Sequence, residues 1–133
     1  MKKDIHFPKD DEVHMAIVRE KDEGENVWNA YIINTRESKI DTLLLTSKGY
    51  STRQDEDVKT SVLRRQLLNM EPHTAQKAEQ IPEELHKLTN EFWLSFYDGN
   101  TLYDKKFTFS SHAFESDEHI TIPVLEKGGI LIK

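Results

Sequence analysis

Apolar and polar residues alternate from Phe92 to Phe109 in two runs that meet at Asp98-Gly99. Asp-Gly accepts the positive φ angles of a two-residue hairpin loop, so the pattern predicts a pair of antiparallel strands. Pairing Tyr97 with Asn100 places Phe92, Leu94, Phe96, Thr101, Tyr103, Lys105, Phe107 and Phe109 on one face. Trp93, Ser95, Tyr97, Leu102, Asp104, Lys106 and Thr108 take the other. One face is apolar and aromatic and the other mixed, as expected of strands that cover a core on one side.

Upstream, Val13–Arg19 alternates as a strand and Lys21–Asn26 reads as a turn around Gly24. A second strand over Val27–Asn34 is apolar on both faces, with Trp28, Ala30 and Ile32 on one and Val27, Tyr31 and Ile33 on the other. After a turn at Asn34–Lys39 comes a third strand, Ile40–Tyr50, again two-sided around Leu43-Leu44-Leu45. Strands of that kind are covered twice or lie in a subunit interface. Ser51–Asp57 is a charged loop. Val58–Met70 carries both helical and alternating spacings, and its β-branched residues favour extended chain with an irregular end before Pro72. Thr74–Ile81 reads as a strand, Pro82–Asn90 as one helical turn and Ser110–Glu118 as a polar loop. His119–Val124 and Ile130–Ile132 form a last small hairpin around Gly128-Gly129.

Eight or nine short strands with at most one short helix predict an all-β fold, a two-sheet antiparallel β-sandwich of immunoglobulin-like type. A small β-barrel is the alternative. Residues 13–133 make one domain behind a loose polar arm, residues 1–12, and Trp28, Leu43, Leu45, Leu94, Phe96 and Phe107 fill its centre.

The 133 residues carry a formal charge of −6, which disfavours general binding to phosphate backbones. Lys2-Lys3, Arg64-Arg65 and Lys105-Lys106 are only pairs and read as ordinary solvated charge. With no cysteine, disulfide scaffolds, thiol nucleophiles and thiolate metal sites are excluded. The first dozen residues hold no apolar core of signal-peptide length, and no apolar run approaches a membrane span. The expected location is cytoplasmic.

Specific catalytic signatures are missing. No Gly-x-Ser-x-Gly elbow and no glycine-rich phosphate loop occurs, and the six histidines form no short-spaced ligand pair. No catalytic residue, metal ligand or cofactor is therefore assigned. The densest ligand-like segment, His112–His119, contains two imidazoles and three carboxylates, and a metal-dependent hydrolase built on His112, Glu115 and His119 is one alternative reading. The more prominent feature is aromatic: Trp93 and Tyr97 share the mixed face of the hairpin, where exposed rings among polar groups suit recognition. Together with Arg64 they are the candidate binding residues.

Val27-Trp28-Asn29-Ala30-Tyr31, Lys48-Gly49-Tyr50, Lys59-Thr60-Ser61-Val62-Leu63-Arg64, Phe96-Tyr97 and Leu102-Tyr103-Asp104-Lys105-Lys106-Phe107 occur together. On these stretches the chain resembles a family of short, uncharacterised bacterial proteins of about the same length, some labelled as a phenylalanyl-tRNA synthetase alpha subunit. The chain is too short for a catalytic synthetase core and has no counterpart of the class II ATP-binding motifs. The label implies at most an RNA- or tRNA-associated accessory factor, and the resemblance carries no functional residue.

The expected function is thus a non-catalytic binding or protein-interaction module. The two-sided strands predict a homodimer, because a sandwich of this size has one inner layer and its short charged loops cover a second poorly. Tyr31, Ile33 and Leu44 are the expected interface residues. A protein or small-ligand partner is expected, rather than nucleic acid or membrane.

Overall fold

The first hairpin joins β1 (Val13–Asp22) to β2 (Glu25–Asn34) through Glu23 and Gly24, whose φ angles of 51° and 86° are both positive. Two positive-φ residues twist a loop in the sense of its strands, so pairing runs through the charged residues on either side. The expected turn over Lys21–Asn26 shrinks to those two residues. The computed structural model describes residues 8–51, 59, 60 and 62–132. Among them follow β3 (Asp41–Tyr50), β4 (Leu63–Leu67), β5 (Thr74–Ile81), β6 (Thr89–Asp98), β7 (Thr101–Phe109), β8 (Ile120–Ile122) and β9 (Lys127–Ile132). Short 3₁₀ turns occupy Glu83–Leu85 and Ser111–Glu115. No helix of the described residues is long and apolar enough to cross a membrane.

Two antiparallel sheets result, ordered β5-β2-β1-β9-β8 and β4-β3-β6-β7. The fold is an all-β sandwich. Met15, Ile17, Trp28, Ala30 and Ile32 of the first sheet meet Leu43, Leu45, Phe92, Leu94, Phe96, Phe107 and Phe109 of the second. All six residues expected at the centre are buried.

The aromatic hairpin departs from expectation in register. Asp98 pairs with Thr101 and Tyr97 with Leu102, so Gly99 and Asn100 are the loop, with φ of +60° at Gly99. Asp98 is thus a strand residue. The displacement is two residues, an even number, so every side chain keeps its expected face. Val58–Met70 contributes β4 within it, while residues 52–58 and 61 lie outside the described residues. At the C-terminal end the correction is larger. The turn between β8 and β9 is Pro123–Glu126, and Gly128-Gly129 lies inside β9.

That turn also adds to the layer expected to lie against a second copy. Ala16, Val18, Ile33 and Ile122 form a small cluster on the outer side of the first sheet, with Tyr31, Ala75, Leu125 and Leu131 packed on it. Ile33 is fully buried, and the Tyr31 hydroxyl donates to the Glu20 carboxylate at 2.6 Å. Burial and that bond push the tyrosine up to about 12. Ile33 is therefore a core residue of one chain, while Tyr31, partly buried, packs against it from the same face. Ile122 of β8, Leu125 of the turn and Leu131 of β9 contribute apolar contacts to this cluster.

Gly129 lets β9 lie close against β1. A methyl group on its Cα would sit 2.7 Å from the Ile17 carbonyl oxygen and 3.0 Å from Val18. Gly129→Ala should destabilise by about 1–3 kcal/mol in urea melts, the cost of overpacking, whereas Gly128→Ala, whose added methyl would meet only the His119 Cβ at 4.0 Å, should cost less than ~1 kcal/mol.

Side chains seal the seam where edge strands β4 and β5 face each other. Arg65 donates to the Ala78 carbonyl at 2.9 Å and approaches Glu79, and the Gln76 amide bonds both the N–H and the carbonyl of Leu68. Arg65, read as solvated charge, is thus part of the closure. Such capping satisfies edge groups that would otherwise pair with another chain.

Candidate functional site

The outer face of the second sheet has no cover from any described element. Register places its side chains in rows that run across the strands. Arg64, Thr46, Trp93 and Lys106 make one row, and Gln66, Leu44, Ser95 and Asp104 the next. Lys48, Glu91 and Thr108 lie on one side of these, and Asp41, Tyr97 and Leu102 on the other. Alternation forces this arrangement: Leu43, Leu45, Leu94 and Phe96 point into the core, so their neighbours must point out. Leu44 is 48%, Trp93 45% and Tyr97 37% exposed, unusual for large apolar side chains in mid-strand.

Polar groups hold the Trp93 ring in place. The Trp93 indole N–H donates to the Asp104 carboxylate, and the Lys106 ammonium stands 5.9 Å from the Trp93 ring centre. Glu91 lies 3.4 Å from Lys48 and 3.9 Å from Lys106. Arg64 is exposed and makes no ion pair among the described residues. A shallow depression of about 480 Å³ is lined by Leu44, Thr46, Arg64, Trp93, Ser95 and Asp104 among others. The structure therefore brings Trp93, Arg64 and Leu44 together, with Tyr97 one row further along, and separates all four from Tyr31 and Ile33 on the first sheet. This surface offers stacking area, hydroxyls and cations.

A second cluster, missed in sequence, gathers charges from four separate segments. The Asp10 carboxylate, with no solvent exposure, accepts from the Val13 N–H at 2.8 Å, from Lys105 at 3.0 Å and from Arg36. Arg36 also donates to Asp98 at 2.8 Å, and its guanidinium lies 4.7 Å from the Tyr103 ring centre. Asp98 accepts from Ser38 as well. Burial pushes the Asp10 carboxyl up, but the bonds from Val13, Lys105 and Arg36 outweigh it and hold it below the usual aspartate value. Asp98 is lowered by Ser38 and Arg36. The cluster ties the described end of the arm to the β2–β3 loop and the β6–β7 hairpin. Every charge in it is paired, so it is a clamp rather than a site. The only clue was Lys105 on the apolar face of its hairpin, a position that requires a buried counter-charge.

His112, Glu115 and His119 do not assemble into a ligand set: among the described residues no group of three or more His, Asp and Glu is placed to hold a metal ion. His119 instead lies beside Trp28, with ring centres 5.8 Å apart. The segment expected to be a polar loop contains a 3₁₀ turn whose Phe114 meets Trp28 edge-on at 5.6 Å and stacks on His86 at 4.4 Å. These rings close one end of the core.

Comparison with protein-family models, with curated proteins and with solved structures finds no match.

Proposed function

We propose that this protein is a non-catalytic interaction module that binds through the outer face of its second sheet. One observation carries the reading: Leu44, Trp93 and Tyr97 stand exposed on neighbouring rows of one sheet, beside an arginine without an ion pair among the described residues. Aromatic residues and arginine are the side chains that most often dominate binding energy at interfaces. The immunoglobulin-like reading is supported by strand order: β1, β2 and β5 neighbour one another as strands A, B and E do, and β3, β6 and β7 as C, F and G do. In this reading β4 joins β3, and β8 and β9 are an addition beside β1. In this reading Leu44 and Trp93, both exposed, are the residues through which two copies would pair, since Ile33 is fully buried.

The test is photo-crosslinking in the native host, with a benzophenone side chain at Ser95 or, as control, at Lys77 on the first sheet. Discrete adducts from position 95 alone are expected. Equal adducts from both positions, or none from 95, would overturn the proposal. Trp93→Ala should cost less than about 1 kcal/mol of stability, as a half-exposed side chain does, so loss of adducts in that variant would report lost binding.

A further inference from the structure

The row that holds Trp93 has a cation at each end. Arg64 lies on β4 and Lys106 on β7, three strand spacings apart, which is about 14 Å at ~4.8 Å per spacing. Thr46 and Trp93 fill the middle, and Leu44 lies one row below. The rows around Trp93 hold three cations, Lys48, Arg64 and Lys106, against two carboxylates, Glu91 and Asp104. With Asp41 in the row beyond, the face as a whole balances three cations with three carboxylates, in a chain that carries −6, and its positive side is the row of Trp93. The two carboxylates around Trp93 are engaged, Asp104 by the indole N–H and Glu91 by two lysines, while Arg64 is left without an ion pair among the described residues.

An extended chain rises about 3.3 Å per residue and turns alternate side chains to one side, so residues i, i+2 and i+4 span ~13 Å on one face. That length matches the distance between the two cations. Resting on the binding-module reading, we infer that the occupant of this face is an extended acidic segment laid across the strands. Its carboxylates at i and i+4 meet Arg64 and Lys106, and an apolar side chain at i+2 covers Trp93 and Leu44. A phosphate chain supplies anions along its length but no aliphatic group for Leu44, and a second copy of this face brings cations to cations along the same row. Both fit less well.

The probe is the heptapeptide Gly-Asp-Ser-Leu-Ser-Asp-Gly, blocked at both ends, titrated at physiological salt. Trp28 is only 8% exposed, so a change in tryptophan emission reports Trp93. Saturation with a midpoint near ~1 mM is expected for so small a contact. Arg64→Glu should weaken binding at least about 5-fold, and replacing one peptide aspartate by lysine should restore it in that variant alone. No emission change up to 10 mM, equal binding of a peptide with lysine at both aspartate positions, or tighter binding of oligouridylate would each overturn the inference. So would concentration-dependent dimerisation that blocks the peptide. Crosslinking from position 95 that persists while the peptide fails would leave the module standing and reject only this occupant.

Discussion

Asp10→Ala should destabilise the protein by about 3–5 kcal/mol, the cost of stranding buried charges when one partner of a buried pair is removed. Arg36 and Lys105, whose side chains are only 15% and 18% exposed, would lose their shared carboxylate, and the Val13 N–H would lose its acceptor. Lys9→Ala, exposed and next to it in the chain, should stay within about 0.5 kcal/mol. Acidification provides a second measurement. Asp10 and Asp98 have lowered pKa values in the folded state, so at acid pH the unfolded chain binds more protons than the native one. Their contribution is complete above the unfolded aspartate value near ~3.9 and is lost as pH falls through the folded values. Urea melts of the parent should therefore lose stability below about pH 4, and Asp10→Ala should lose less over the same interval. A pH dependence unchanged by the substitution would show that the clamp is not a source of acid sensitivity.

Phe96→Ala should cost a similar amount, about 3–5 kcal/mol, by a different route. Phe96 is fully buried and stacks on Tyr103 with ring centres 5.2 Å apart, so truncation removes transfer energy and leaves a cavity. Lys106→Ala, on the opposite face of the hairpin, removes only an exposed ammonium 3.9 Å from Glu91 and should cost under ~0.5 kcal/mol. Chemical denaturation of the pair reads the facing of the hairpin directly. Equal losses would mean a register displaced by an odd number of residues.

These faces were legible because alternation survives any even displacement. The loop was not, because Asp-Gly and Gly-Asn are both acceptable centres and only the folded pair distinguishes them. Leu43-Leu44-Leu45 shows the limit of reading burial from apolarity. Two of the three are core and Leu44 is bare, and a run of identical side chains carries no mark of its covered side. The opposite error arose at Ile33, which is fully buried in a cluster that includes Ile122 and Leu125, far along the chain. The glycines near the C-terminus looked like a turn because glycine signals both turns and close strand approach. Of the candidate site, Trp93 and Tyr97 were expected on the mixed face of the hairpin and lie there, whereas Arg64, in a pair read as solvated charge, falls in the row of Trp93. Their alignment in rows depends on β3 separating β4 from β6, a non-local pairing that local pattern does not encode.

The place of β9 beside β1 bears on how the chain is made. β1 gains one neighbour at once from the adjoining hairpin, but the other is translated more than a hundred residues later. At ribosomal speeds of roughly 5–20 residues per second that is an interval of several seconds. Throughout it, the cluster of Ala16, Val18 and Ile33 lacks Ile122, Leu125 and Leu131 and one edge of β1 stays open. A nascent chain in that state offers what holdase chaperones recognise, an apolar strand with a free edge. A message cut short before Pro123 would yield a product that keeps those features permanently, so proteolysis should remove prematurely terminated copies much faster than complete ones.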